Sequence, residues 1–199
     1  MRVKRFKEER TIKTPVTVDW LDTFCAHARP MVGALATFMF ATACRISEAK
    51  RLEWHDIDFN QRTILVRDSK TRKQRLAHMP HRLIVALANL PRDEAPFGSW
   101  SESRLRIFWD EDIAVAAVAV PGFERLTFHS CRHGFATKML RDGVDAKTAA
   151  ALGGWDDIQL FMETYVHAIQ DATLTEGVFD TPLTRGQGSP QQKQRLRGK

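Results

Sequence analysis

Apolar residues recur at helical spacing along most of this chain and alternate at strand spacing in one short stretch. After Pro15 and Thr17, the positions Trp20, Leu21, Phe24 and Cys25 share one face of a helix, which Pro30 ends. Met31–Ala43 is apolar on nearly every face, the pattern of a helix buried all round. A short helix is expected from Ser47 to Arg51. Thr63–Val66 is rich in β-formers, and Leu76–Met79 is its plausible partner. The charged run Arg67–Arg75 between them predicts a hairpin with a basic tip. Further helices are predicted over His81–Leu90, Ser101–Val120, Phe128–Arg141, Ala146–Leu152 and Asp156–His167. Pro91, Pro121-Gly122, Gly143 and Gly153-Gly154 stop the first four in turn. The sum is a mainly α domain with a small β-hairpin or sheet, an α+β fold. Residues 1–14 read as a linker or a stump and 15–178 as one domain. Residues 179–199, rich in Pro, Gly, Gln and basic side chains, read as a disordered basic tail.

Composition adds limits. A chain of 199 residues with 43% hydrophobic content can bury an ordinary single core. The longest apolar run, Met31–Cys44, falls short of the roughly 20 residues of a membrane span. The charged start, Met1–Lys13, is unlike a secretory signal. Cys25, Cys44 and Cys131 are odd in number and scattered, so buried thiols in a reducing cytoplasm are expected. The net charge of +6 is uneven: +4 in residues 1–13, +4 in 179–199 and −2 between them. A basic surface overall is therefore no argument for nucleic acid. The local cluster Arg62–Arg75 is sharper, with Arg62, Arg67, Lys70, Arg72, Lys73 and Arg75 against Asp68. A phosphate-binding hairpin and a merely solvated basic face both fit it.

Several side chains could carry chemistry. Arg45 directly follows the apolar helix, and Arg132 sits mid-helix among Phe128, Phe135 and Met139. A partly buried guanidinium needs an anionic partner. Phosphate suits its planar fork, and Glu48 would serve Arg45 as a structural ion pair. His129 shares a helix face with Arg132 three residues on and His133 four residues on. The pair His129/His133 imitates a metal site, but no Glu follows His129 and no third ligand has convincing spacing, so no metal is expected. Tyr165 is the sole tyrosine. It lies near the end of the last predicted helix, downstream of Gly153-Gly154.

Taken in order, these residues resemble a known family. Residues 43–58 carry Arg45, Ser47-Glu48, Leu52, Trp54 and Asp56-Ile57-Asp58. That stretch looks like the first signature box of the tyrosine recombinases, the phage integrase family. His129 through His133 resembles the second box, His-x-x-Arg-His. Leu152-Gly-Gly-Trp155 with Tyr165-Val-His167 resembles the third, and Ser69-Lys-Thr71 the family's hairpin lysine. The four elements span about residues 15–170. Cys131 and Gly134 depart from the family's usual Leu and Thr or Ser, changes that packing should tolerate.

The resemblance implies a catalytic domain that cuts and rejoins double-stranded DNA through Tyr165 as nucleophile. Arg45 and Arg132 would clamp the scissile phosphate. His129 and either Trp155 or Asp156 would complete that pocket, and Lys70 would protonate the leaving 5′-oxygen. Glu48 and His133 would support, orienting Arg45 and the nucleophile side of the site. Arg67, Arg72, Lys73 and Arg75 would contact DNA. The 3′-phosphotyrosyl product would keep the bond energy, so neither cofactor nor metal is implied. Self-association as a tetramer on DNA and a cytoplasmic, bacterial or phage-encoded origin follow from the same resemblance. So does a core-binding domain upstream, for which residues 1–14 leave no room. The chemistry fits: fixed guanidinium donors stabilise a pentavalent phosphorane more than the ground state, and cations favour the ionised phenol. Two other readings fit the class. A decayed or regulatory DNA-binding relative would normally have lost one of Arg45, Lys70, His129, Arg132 and Tyr165. A type IB topoisomerase would lack the Ser-Glu box and the Tyr-Val-His ending.

Overall fold

The computed structural model describes residues 14–67 and 74–165. The readings of 1–13, of Lys70, Arg72 and Lys73, and of 179–199 lie outside these residues. Eight helices and three strands are present among those described. Helix α1 (Val18–His27) is followed by α2 (Pro30–Thr42) and α3 (Ile46–Ala49), then by strands β1 (Ile57–Asp58), β2 (Thr63–Arg67) and β3 (Gln74–His78). Then come α4 (His81–Ala88), α5 (Glu102–Ala119), α6 (Phe128–Arg141), α7 (Ala146–Gly153) and α8 (Ile158–Tyr165).

Local signals set the helix starts. The Thr17 hydroxyl accepts the Trp20 amide at 3.1 Å, and Ser101 accepts that of Arg104 at 3.1 Å. Asp145 accepts the Thr148 amide at 2.9 Å. Each satisfies an amide left without a partner in a first helical turn. Pro30 both ends the first helical pattern and opens α2, because its fixed φ suits the first helical turn.

Helix α2 is apolar all round because it is packed all round. Val32, Leu35, Phe38 and Met39 are fully buried, and α1, α4, α5 and α6 pack against it. Trp20, Phe24, Trp109 and Phe128 form an aromatic ladder beside it, with successive ring centroids 4.5–4.9 Å apart. Cys44 and Cys131 are buried free thiols, and Cys25 is partly buried. A second, smaller cluster joins α6, α7 and α8 through Ala136, Leu140, Ala149, Ala150, Phe161 and Tyr165.

The strands form an antiparallel sheet in the order β1-β2-β3, with Arg67 opposite Gln74 as the pair nearest the hairpin tip. β3 starts two residues earlier than the hydrophobic pattern predicts. Its inner face is Arg75 and Ala77, and Arg75 sits opposite the buried Val66. Leu76, on the outer face, is 69% exposed.

Gly134 has a packing reason that the sequence does not announce. The backbone of Val16 lies against α6, donating to Ser130 O at 2.9 Å. A Cβ on residue 134 would stand 2.4 Å from Val16 O and 2.8 Å from the Phe40 ring. The Thr or Ser usual in the resembled family would not fit this backbone. Here the glycine is required.

Candidate active site

The site is assembled where two helices end. α2 terminates at Ala43, which adopts left-handed backbone with φ 55°. That geometry costs a non-glycine residue about 1–2 kcal/mol, and it turns the chain sharply out of the core. Arg45 follows as the N-cap of α3. Glu48, buried, accepts the Arg45 backbone amide at 2.9 Å and its Nη1 at 2.7 Å. One carboxylate thus caps the helix and aims the guanidinium, leaving the Arg45 side chain 42% exposed.

Arg132 rises from α6 into the same place and is 7% exposed. Its Nη1 donates to Ala43 O and, at 2.9 Å, to Gly153 O. Its Nη2 donates to Gly154 O at 3.4 Å. The guanidinium carbon stands 3.6 Å from the centroid of the Trp155 ring. These carbonyls belong to the ends of α2 and α7, where helix carbonyls lack intrahelical partners and carry partial negative charge. The guanidinium is therefore well solvated by backbone, yet no carboxylate is bonded to it among these contacts. Burial, and then the nearby Arg45 cation, lower its pKa to about 10, against the pull of Glu48 and Tyr165.

The geometry assigns Trp155 a definite place: its face supports Arg132, and its ring stands nearly perpendicular to Tyr165 with centroids 5.8 Å apart. Gly153 makes room for it, since a Cβ there would lie 2.0 Å from the Trp155 ring. Asp156 is exposed and lines a cavity of about 180 Å³ with Glu48, Gln74, Arg75, Gly154 and Trp155.

Tyr165, the last described residue of α8, is 4% exposed. Its hydroxyl lies 2.7 Å from Nδ1 of His133. Burial pushes its pKa up to about 12, with the Arg132 charge pulling in the opposite direction. His129 is exposed on the first turn of α6, three residues before Arg132. Arg45, Glu48, Arg132, His133, Trp155 and Tyr165 therefore form one connected group.

Two residues read as DNA contacts have other engagements. Arg67 forms a two-pronged pair with buried Asp56, through Nη1 at 2.9 Å and a shorter Nη2 contact. Arg75, partly buried, donates Nη2 to Thr42 O at 2.7 Å and Nη1 to Leu152 O at 3.1 Å. The run of charge in sequence thus contains at least two arginines whose visible partners lie within the protein.

A mainly helical domain with a three-stranded sheet, presenting two arginines and a tyrosine at converging helix ends, has the architecture of a tyrosine recombinase catalytic domain. The sequence model of the phage integrase family matches residues 18–171, so the chain belongs to that family. Tyrosine recombinase XerD of Bifidobacterium longum is 30% identical over 168 residues, covering 76% of this chain and 54% of the relative. Tyrosine recombinase XerC of Pediococcus pentosaceus is 27% identical over 154 residues, covering 69% and 50%. The chain spans about half the length of the curated relatives it matches. In fold it is similar to the catalytic domain of bacteriophage HP1 integrase, with a TM-score of 0.62 at 18% identity. That match covers 88% of this chain and 99% of the other.

Proposed function

We propose that this chain is the catalytic part of a site-specific DNA recombinase, with Tyr165 as nucleophile. The observation that carries the reading is the convergence of Arg45, Arg132 and the Tyr165–His133 pair at the ends of α2 and α7. The Tyr165 oxygen attacks a phosphorus of duplex DNA and the bond to the 5′-oxygen breaks. The phenol gives up its proton, and the leaving oxygen takes one from Lys70. The products are a 3′-phosphotyrosyl diester and a free 5′-hydroxyl. Attack by another 5′-hydroxyl reverses the step and joins new ends. Phosphoester bonds are conserved throughout, so no high-energy cofactor is needed.

Each residue has a distinct task. Arg45 and Arg132 offer fixed donors to the non-bridging oxygens as charge develops on them. Glu48 holds Arg45 and Trp155 holds Arg132. A buried phenol with its pKa near 12 is a weak nucleophile at neutral pH. Arg132 favours its ionised form, and His133 is within hydrogen-bonding distance of the departing proton. Arg72 and Lys73 fit phosphate contacts from the hairpin. A tetramer on DNA and a cytoplasmic location belong to the same proposal. Among the described residues no helix is long and apolar enough to cross a membrane.

The test is covalent capture. With a nicked duplex whose cut end diffuses away, the wild type should form a protein–DNA adduct and Tyr165→Phe none, while both bind the duplex. An adduct of normal yield from the Phe variant would refute the assignment.

A further inference from the structure

Arg75 looks from the sequence like one more basic residue of a DNA-touching hairpin. Its place in the sheet says otherwise. It shares the inner face of β3 with Ala77 and sits opposite buried Val66. From there its side chain crosses to the ends of two helices, with Nη2 on Thr42 O and Nη1 on Leu152 O. These carbonyls are the immediate chain neighbours of those that Arg132 holds, at Ala43 and at Gly153 and Gly154. Two guanidiniums therefore bind the same two turns, one from the sheet and one from α6.

The two turns carry the site. The one after α2 delivers Arg45, and the one after α7 delivers Trp155. Both contain left-handed backbone, at Ala43 with φ 55° and at Gly154 with φ 68°. The second turn is also fitted to the arginine, since a Cβ on residue 154 would stand 2.6 Å from Arg75 Nε and 3.0 Å from its Cδ. Burial lowers the pKa of Arg75, and the Arg45 cation adds to this, while Cys44 and Glu48 oppose it. A partly buried cation kept at this cost is held by its hydrogen bonds to helix-end carbonyls. β3 also begins directly after the segment that contains Lys70.

We propose that Arg75 is a positioning residue: a clasp that holds the Thr42 and Leu152 turns together and fixes the root of the Lys70 hairpin against the Arg45–Arg132 pocket. Its guanidinium serves this joint and does not contact DNA phosphate. The proposal rests on the recombinase reading for its effect on catalysis, but the clasp itself is a property of the fold.

The experiment uses the full chain with Arg75→Lys and Arg75→Ala, and Gly154→Ala as a variant that crowds the clasp while leaving Arg75 in place. Hydrogen exchange is measured over residues 40–48 and 150–157. All three variants should exchange faster at both turns, with Lys less affected than Ala because its ammonium can still hold one of the two carbonyls. Single-turnover cleavage at saturating DNA should fall by about 10²-fold for Arg75→Ala, the scale of a small misplacement at a reacting centre. The slope of log affinity against log salt should stay at the wild-type value, whereas loss of a phosphate contact would flatten it by about one ion. Unchanged exchange at both turns would overturn the clasp, and so would a flattened slope with a normal saturated rate. If the wild type forms no adduct, the recombinase reading fails, and the exchange and salt arms still decide the role of Arg75. If Arg75→Ala does not fold, Arg75→Lys and Gly154→Ala carry the same comparison.

Discussion

Gly153→Ala separates helix propensity from site geometry, and the two push in opposite directions. Gly153 closes α7 without a positive φ, so alanine should favour the helix there by up to about 1 kcal/mol. Against this, the new Cβ would lie 2.0 Å from one Trp155 ring carbon, 2.6 Å from another and 3.1 Å from Ala43 Cβ. Carbon atoms in contact rest at roughly 3.5–4.0 Å, so the ring must retreat by more than an ångström. Overpacking of this kind costs about 3 kcal/mol at the upper end. The clash wins, for a net loss of about 2 kcal/mol and a Tm lower by about 4–8 °C. The catalytic effect should be larger than the stability effect. The displaced ring is the one on which Arg132 rests at 3.6 Å, so single-turnover cleavage should fall by about 10²-fold in protein that is still folded. The assays are thermal unfolding by circular dichroism and adduct formation at a temperature well below both midpoints. A variant more stable than wild type with an undiminished rate would refute the reasoning, because propensity alone would then describe the site.

Four further outcomes follow from the same geometry. Arg45→Lys and Arg132→Lys should each cleave at least about 10²-fold more slowly, because lysine offers a point charge in place of a fork; a folded Lys variant at near-full rate would make either arginine merely electrostatic. Tyr165 has a folded pKa raised to about 12, above its ordinary value of 10.0, so its burial adds stability that is complete below about pH 10 and is lost as pH rises through 12. The ultraviolet absorbance of this sole tyrosine should therefore show ionisation well above pH 10 in the folded chain and near 10 in denaturant, and a folded midpoint near 10 would contradict the burial. Lys70→Ala should be slow on ordinary DNA and close to wild type on a duplex with sulfur at the bridging 5′-position, since a thiolate leaves without an acid; equal impairment on both would make Lys70 a binding residue. Deleting residues 181–199 should flatten the salt dependence of DNA binding, and an unchanged slope would remove that segment from the contact surface.

The helices were legible because periodicity is a local property, and the cores of α1, α2, α5, α6 and α7 stand within a residue or two of where apolar spacing puts them. The two-residue strand β1 and the short 3₁₀ turn Trp54–Asp56 before it carry too few residues to show a period. Apolar spacing puts this strand at Leu76–Met79, later than β3 itself, because the inward side chain of β3 nearest the hairpin tip is an arginine. Once Ala77 is known to face inward, the two-residue repeat puts Arg75 on the same face. Trp155 under Arg132 and Asp56 beneath Arg67 are separated by 23 and 11 residues in the chain. No local pattern encodes them. Gly134 is similar: the approach of Val16 and of the Phe40 ring, both distant in sequence, explains it.

Two arginines of this site, Arg132 and Arg75, are solvated in a way that leaves their charge available. A guanidinium paired with a carboxylate is satisfied and neutralised together, as Arg67 is by Asp56. Arg132 and Arg75 are instead bonded to carbonyls at the ends of α2 and α7. Such carbonyls satisfy the donors' geometry with partial charge only, so the positive potential survives. Of the carboxylates lining the cavity, Glu48 is turned to the backbone and Nη1 of Arg45, and Asp156 is exposed. A rigid pocket that keeps a surplus of positive charge, with a buried phenol at its side, costs stability in the absence of a ligand. It becomes favourable when an anion enters and gathers charge there. A phosphodiester passing through a pentavalent state, as the proposed reaction requires, would do this.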